Sequence, residues 1–170
     1  GAGTQRVTEY EYDNRGLQVR TRFPDAGAMN ASGQLVATGV RPTVEVTYDL
    51  LGRAVMQKDV LGNYSYKTYN SAGQLQFEVD AEGYVTAYAY NTAGEQIELR
   101  RYANAIATSP GVVLQSVDVA ARISPEQGRD RILATYYDSA GRKTLVAEIS
   151  YRQDIWGEDS NYHFGASTKF

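Results

Sequence analysis

The sequence predicts an all-β protein: an antiparallel meander of short hairpins that forms a curved or spiralling sheet, with one short helical insertion. Three observations predict it. A four-residue motif, in which Asp or Asn is followed three residues later by glycine, recurs along the chain. Between residues 44 and 102 the motif returns every 10 or 11 residues, so one period of 21 residues contains two motifs. The segments between motifs alternate in polarity, as half-buried strands do.

The motif is typical of a tight turn. In a type I turn the Asp or Asn side chain accepts backbone amides further on, and the fourth-position glycine adopts the positive φ that a hairpin bulge requires. Six or seven residues separate each glycine from the next motif, about one strand's length. We therefore predict a structural turn at Asp13 and Gly16, Asp49 and Gly52, Asp59 and Gly62, Asn70 and Gly73, Asp80 and Gly83, Asn91 and Gly94, and Asp138 and Gly141.

Tyrosine is the second repeated residue, with 14 copies against four of phenylalanine. It suits strands with one dry and one wet side, because its hydroxyl still needs a partner. After Gly83, the third, fifth and seventh residues are Thr86, Tyr88 and Tyr90, and we predict this aromatic face to be the buried one. Lys67 marks a place where that face approaches water. The repeat tyrosines are Tyr12, Tyr48, Tyr69, Tyr88, Tyr90 and Tyr137.

The repeat divides the chain into three parts. A β-strip is predicted over 1–103, in which 24–43 is a degenerate repeat with longer loops. A helical insertion is predicted over 104–131, and the repeats continue over 132–170. A further turn motif lies at 154–157.

The insertion carries a helical pattern. Leu114, Val117 and Ala121 are spaced as on one face of a helix, which predicts a short helix near 113–122. We expect this stripe to pack on or cap the sheet. We also expect the insertion to be an independent addition, whose removal leaves the flanking repeats folded.

Composition excludes several classes of function. The net charge of −3 gives no case for binding nucleic acid, and no apolar run is long enough to predict a membrane span. The chain has no cysteine, so it forms no disulfide and no thiolate metal site.

These residues resemble the RHS/YD-repeat family, whose repeat reads roughly G-x-x-T-x-Y-x-Y-D-x-x-G-R-L. The stretch 83–94 follows it nearly position for position, and Arg53 and Arg142 follow their turn glycines as arginine does in the family. The resemblance covers most of the chain except 24–43 and 103–131. It implies a β-strip that spirals into a hollow shell, which encloses a C-terminal toxin domain in bacterial toxins and supports adhesion in teneurins. The Asp-Pro of the family's self-cleavage core does not occur in this sequence.

Catalytic chemistry finds little support in the sequence. Nine Asp or Asn residues at one turn position are explained by turn formation, and not by metal binding. His163 is the only histidine and has no recognisable partner motif. Carboxylate pairs of the glycosidase type can be drawn among Glu9, Glu11, Glu45 and Glu78, but their spacing singles out none of them. We expect no catalytic residue, no metal, no cofactor and no enzymatic activity.

The expected function is structural: a segment of an RHS-repeat shell that encloses a toxin or effector domain of a large secreted or cell-surface protein. The expected partners are neighbouring repeats of the same parent protein, or other copies joined through strand edges, and an enclosed toxin domain. The alternative is a glycan-binding or adhesive repeat module, because aromatic ladders also stack on sugars; no nucleic acid is expected as a partner. Secretion is implied by the resemblance alone.

Overall fold

The computed structural model describes residues 6–149, which belong to two compact units, Gly1–Ser65 and Tyr66–Phe170. Within the described residues the fold is an antiparallel β-meander with one short helix, which confirms the predicted fold class. The strands of the first unit are β1 (Glu9–Tyr12), β2 (Gln18–Arg22), β3 (Ala28–Met29), β4 (Leu35–Val36), β5 (Thr43–Tyr48) and β6 (Ala54–Lys58). The unit boundary falls inside β7 (Tyr64–Tyr69). The elements that follow are β8 (Leu75–Val79), β9 (Val85–Tyr90), β10 (Gln96–Arg101), α1 (Ser116–Arg122), β11 (Arg131–Tyr137) and β12 (Lys143–Ile149). Between residues 6 and 149 no helix is long and apolar enough to cross a membrane.

In the first unit, the degenerate repeat leaves the meander. Strand β2 pairs directly with β5, with Arg20 opposite Glu45. The residues between these strands form a separate two-stranded hairpin of β3 and β4. The meander therefore continues across this excursion without losing its strand order.

In the second unit, the insertion is also an excursion. Strands β7 to β10 pair in chain order, and β10 pairs directly with β11 although 29 residues, 102–130, lie between them. The last hairpin is β11 with β12.

The buried face of the second unit is not the predicted one. On β7 the buried residues are Tyr66 and Thr68, whereas Lys67 is exposed. On β9 Val85 is fully buried, and the predicted face with Tyr88 is only half-buried. The prediction of the buried face was therefore wrong. The reason is that the insertion covers the opposite face.

The insertion contributes three core side chains, Ile106, Leu114 and Val119, to the second unit. Its backbone is bonded to the turn before β9, since the amide of Ile106 donates to the carbonyl of Gly83 at 2.9 Å. The hydroxyl of Tyr66 donates to the carbonyl of Ser109 at 3.2 Å. The insertion is therefore part of the core, and not the independent addition that the sequence predicted.

The helix lies within the predicted range, but its apolar stripe differs from the prediction. Leu114 is buried, although it precedes the helix. Val117 is 73% exposed and Ala121 is also exposed, whereas Val119 is fully buried. The predicted stripe assumed a helix already formed at residue 113. Because α1 begins at Ser116, the face that contacts the sheet carries Ser116 and Val119 instead.

Candidate functional site

All described turn motifs share one set of hydrogen bonds. In the first, the Asp13 amide donates to the carbonyl of Leu17 at 2.9 Å, and the Gly16 amide donates to the carbonyl of Asp13 at 3.0 Å. Asp13 Oδ1 accepts the amides of Arg15 and Leu17, both at 2.9 Å. The same double acceptance recurs at Asn30, Asp49, Asp59, Asn70, Asp80, Asn91 and Asp138. One oxygen is enough, so Asp and Asn serve equally.

The turn glycines have the backbone conformation that this hairpin type requires. Gly52, Gly73 and Gly94 have φ values of 79°, 81° and 86°. Glycine adopts this left-handed region without steric cost, and other residues do not.

In most described turns the second polar atom of the turn side chain is matched to the residue after the glycine; the exceptions are Asp13, whose second oxygen binds Arg15, and Asp80. In a matched motif that begins with Asp, the residue after the glycine donates, as Arg53 Nε does to Asp49 Oδ2 at 2.7 Å. Where it begins with Asn, Oδ1 is already taken by backbone amides, so Nδ2 needs an acceptor. Asn91 Nδ2 donates to Glu95 at 2.7 Å. The other matched pairs are Asp59 with Asn63, Asn70 with Gln74, and Asp138 with Arg142.

These contacts hold the turn carboxyls in their charged form. The backbone amide of Leu17 is the main cause of the lowered pKa of Asp13. The backbone amide of Arg142, followed by its guanidinium, lowers the pKa of Asp138. At Asp49 burial opposes ionisation, but the hydrogen bonds from Arg53 and the Leu51 amide outweigh it, and the pKa is lowered. Asp13, Asp49 and Asp138 are therefore anionic at neutral pH.

Three repeat tyrosines make one recurrent bond between hairpins, which we call the tyrosine–carbonyl bond. Their hydroxyls donate to backbone carbonyls: Tyr48 to Gln18 at 3.0 Å, Tyr90 to Leu75 at 2.9 Å and Tyr137 to Gln96 at 3.0 Å. Each donor directly precedes a turn motif, and each acceptor lies two residues after the preceding hairpin's turn glycine. The bond therefore joins the first strand of one hairpin to the second strand of the hairpin before it.

The tyrosine–carbonyl bond is preserved across both excursions. Tyr48 and Gln18 are separated by 30 residues that include the β3–β4 hairpin, and Tyr137 and Gln96 by 41 residues that include the insertion. Within its own hairpin, each tyrosine that precedes a turn pairs with the residue two after the turn glycine: Tyr12 with Gln18, Tyr48 with Ala54, Tyr69 with Leu75, Tyr90 with Gln96, and Tyr137 with Lys143. The register is thus the same in all five hairpins.

Tyr88 binds a side chain instead. Its hydroxyl donates to Glu78 Oε2 at 2.5 Å, and Lys67 Nζ lies 3.1 Å from Glu78 Oε1. Burial, followed by the hydrogen bond to Glu78, raises the pKa of Tyr88. Burial also opposes the ionisation of Glu78, but the bonds from Tyr88 and Lys67 outweigh it and lower its pKa. The cluster is therefore a tyrosine and a lysine that share one carboxylate.

One position of the repeat differs between the two units. In the first unit Glu45 occupies this position and belongs to a charged row in which each residue is in register with the next: Glu11, Arg20, Glu45 and Lys58. Arg20 lies 2.6 Å from Glu11 and 3.0 Å from Glu45. Glu45 stands three residues before Tyr48, and the corresponding residue before Tyr69 is Tyr66, which is buried. The same position therefore supplies a polar face in one unit and the core in the other.

The carboxylates considered for glycosidase chemistry are all in ion pairs with cations. Glu9 lies 2.7 Å from Arg41, Glu11 and Glu45 share Arg20, and Glu78 binds Lys67. Residues 6–149 contain no cluster of three or more side chains able to hold a metal ion. His163 and the turn motif at 154–157 lie outside the described residues.

The second unit has a shallow cavity of about 280 Å³. It is lined by Glu82, Tyr84, Arg101, Tyr102, Ala103, Arg129 and Arg131. Each of its arginines lies near a carboxylate: Arg101 near Asp80, Arg129 near Glu126 and Arg131 near Glu148. The charges of the cavity are therefore largely balanced by neighbouring residues.

The comparisons with known proteins give structural neighbours only. No family model and no curated protein sequence matches the chain. Three of the structural neighbours are chains of TcdB2–TccC3 crystal structures. For the TcdB2-TccC3-Cdc42 structure, the sequence identity is 16%, the match covers 85% of this chain and 8% of that chain, and the TM-score is 0.44. For the structure without the hypervariable C-terminal region, the identity is 16%, the match covers 84% of this chain and 8% of that chain, and the TM-score is 0.39. For TcdB2–TccC3, the identity is 18%, the match covers 85% of this chain and 8% of that chain, and the TM-score is 0.39. The chain thus spans 8% of the length of each of these three neighbours.

Sequence analysis found the tyrosines but not the atoms that their hydroxyls bind. The signal was present, because Tyr48, Tyr90 and Tyr137 each stand directly before a turn motif, and each acceptor carbonyl lies two residues after the turn glycine of the neighbouring hairpin in the sheet. The matching of turn side chains was also visible, since Asp49 precedes Arg53 by the same four residues that separate Asn91 from Glu95. The contribution of Ile106, Leu114 and Val119 to the core had no such signal.

Proposed function

We propose that this chain is a structural segment of an RHS-repeat shell, which encapsulates a C-terminal toxin or effector domain of a large secreted or exported protein. The observation that carries the proposal is the tyrosine–carbonyl bond. Because it joins three hairpins to the hairpin beside them in a constant register, a sheet built this way can be extended by whole repeats. A wall that encloses a cargo needs this property.

A non-enzymatic role is part of the proposal. The turn carboxylates are bound to backbone amides, and Glu9, Glu11, Glu45 and Glu78 are bound to cations. A general acid would need a raised pKa, but the resolved shifts lower the pKa of Glu9 and Glu78.

The glycan-binding or adhesive module is the second candidate, and the geometry gives it no specific observation. A tyrosine that binds a sugar needs an open ring face and a hydroxyl that can reach the ligand. The hydroxyls of Tyr48, Tyr88 and Tyr90 are used within the protein. Glycan-array binding that is lost on Tyr88→Ala would favour this alternative.

Protease protection of the parent protein tests the encapsulation proposal. The reading frame that encodes this segment is sequenced, and its full product is digested under native conditions. We expect a downstream domain of unrelated sequence that is cleaved much more slowly in the full product than when it is produced alone.

A matched pair of variants makes the test specific. Tyr137→Phe removes one tyrosine–carbonyl bond and should speed cleavage of the downstream domain. Tyr84→Phe removes a hydroxyl without a hydrogen bond inside residues 6–149 and should not. A downstream region that is digested equally fast in both contexts contradicts encapsulation, as does a frame with no such domain.

A further inference from the structure

Strand β1 presents an edge that its hairpin does not use. Inside residues 6–149, β1 pairs only with β2. Tyr12 lies at the end of β1, and its side chain is 59% exposed. Among the described residues its hydroxyl has no hydrogen-bond partner.

Tyr12 has the same position in its hairpin as the tyrosines that form the tyrosine–carbonyl bond. Like Tyr48, Tyr90 and Tyr137, it directly precedes a turn motif and pairs with the residue two after the turn glycine. Those three donate their hydroxyls to the second strand of the hairpin before them. Tyr12 therefore holds a donor at the place where such a strand would lie.

Glu9, which also pairs with Arg41 at 2.7 Å, adds a carboxylate to the same edge. It stands three residues before Tyr12, as Glu45 stands three before Tyr48. Glu45 faces Arg20 of the preceding hairpin, which lies four residues after the turn glycine. The corresponding residue of a strand next to β1 would face Glu9, where a cation is favoured over an anion.

We propose that the edge of β1 binds the second strand of a preceding hairpin of the same repeat, supplied by the parent protein. The carbonyl two residues after that hairpin's turn glycine accepts the hydroxyl of Tyr12. A lysine or arginine four residues after the glycine faces Glu9. This inference rests on the proposed function only in that the parent protein supplies further repeats.

An extended chain tests the joint directly. A copy of residues 62–83, which comprises a strand, a turn, a second strand and a final turn, replaces residues 1–5. This places the copied carbonyl of Leu75 beside Tyr12 and the copied side chain of Phe77 beside Glu9, as they lie beside Tyr90 and Ala87 in β9. The readout is thermal stability, so it does not depend on whether any cargo is enclosed.

Tyr12→Phe is then compared in the original and the extended chain. Loss of one hydrogen bond should lower the Tm of the extended chain by about 2–4 °C and leave that of the original chain unchanged. The matched control is Tyr48→Phe, which should cost the same in both chains because Gln18 is present in both. An equal effect of Tyr12→Phe in the two chains overturns the proposal.

Hydrogen exchange and charge give two further arms. The β1 amides that point away from β2 should become protected in the extended chain, and an extension that leaves them unprotected overturns the proposal.

Arginine at the copied Phe77 position should give a higher Tm than glutamate there, and equal values would contradict the role of Glu9. If light scattering shows that the original chain dimerises and Tyr12→Phe abolishes the dimer, the edge serves a second copy, and the proposed occupant is wrong.

Discussion

At the scale of single residues, the hydroxyl explains why tyrosine and not phenylalanine precedes the turns. Either ring would pack on the strand, but only tyrosine can donate a hydrogen bond to a backbone carbonyl of the hairpin before it in the sheet. The acceptors Gln18, Leu75 and Gln96 each lie where the register of their own hairpin shifts, as at a β-bulge. At a bulge the hydrogen bonds between the two strands are interrupted, so a backbone carbonyl there can lack a donor, and a side-chain hydroxyl supplies one.

Removal of this hydroxyl should have a measurable cost. We expect Tyr90→Phe to lower the free energy of unfolding by about 1 kcal/mol, because it keeps the ring but leaves the Leu75 carbonyl without its donor. Urea unfolding measures the change. Tyr84→Phe is the control and should be neutral. If the two variants lose the same stability, the tyrosine–carbonyl bond does not contribute to the free energy of unfolding.

The matching of the turn side chains yields a charge prediction. Asn91→Asp places a carboxylate against Glu95, to which Asn91 now donates at 2.7 Å. We expect a loss on the order of 1 kcal/mol at pH 7, because a hydrogen bond is replaced by repulsion.

A second substitution should rescue that variant. Adding Glu95→Arg recreates the pair seen at Asp49 and Arg53. Chemical unfolding of the single and double variants measures the recovery. A double variant as unstable as Asn91→Asp would show that the matching has no energetic role.

At the scale of elements, the hairpins share a backbone but differ in their surroundings. Gly62 has a φ of +89° and open space around the position of a Cβ, whereas a Cβ on Gly83, with a φ of +91°, would overlap the carbonyl of Ile106. Gly62→Ala should cost roughly 1 kcal/mol, from backbone strain alone. Gly83→Ala should cost clearly more, because the insertion must also move. Thermal unfolding of both variants checks the order, and equal losses would contradict the close approach.

The insertion offers a matched pair of valines on one helix. Val119 is fully buried and Val117 is 73% exposed. Val119→Ala should destabilise the second unit by roughly 2 kcal/mol, because it leaves a cavity under the helix, and Val117→Ala should change little. Calorimetry of the two variants provides the measurement. If Val119→Ala is also neutral, the burial of this side chain does not stabilise the second unit.

At the scale of the whole chain, the Asp turns make stability depend on pH. Asp13, Asp49, Asp59 and Asp138 have pKa values below the ordinary range in the folded protein. A lowered folded pKa stabilises the protein above the unfolded pKa, near 3.9, and that contribution is lost as pH falls through the folded value. We therefore expect Tm to be steady near neutral pH and to fall below about pH 4. Asp59→Asn should reduce the steepness of this fall, and an unchanged profile would contradict the role of the turn carboxylates.

The sequence by itself determined the hairpins, and their residues show why. The turn is local: an Asp or Asn oxygen, two amides and one glycine, all within five residues, fix it. The 21-residue period therefore predicted the strands of the meander and the positive φ of Gly52, Gly73 and Gly94. The apolar spacing also predicted a short helix near 113–122, and α1 lies within that range, although its buried residue is Val119 and not Val117 or Ala121.

Only the tertiary structure decided which face of the sheet is buried. Tyr66 and Glu45 occupy the same position of the repeat, and alternation cannot tell a covered face from an uncovered one. In the second unit the insertion, which is not part of the repeat, covers the face that carries Tyr66 with the side chains of Ile106, Leu114 and Val119. In the first unit Glu45, at the same position, belongs to the charged row. Burial depends on contacts between residues far apart in the chain, whereas periodicity records only the spacing within each strand.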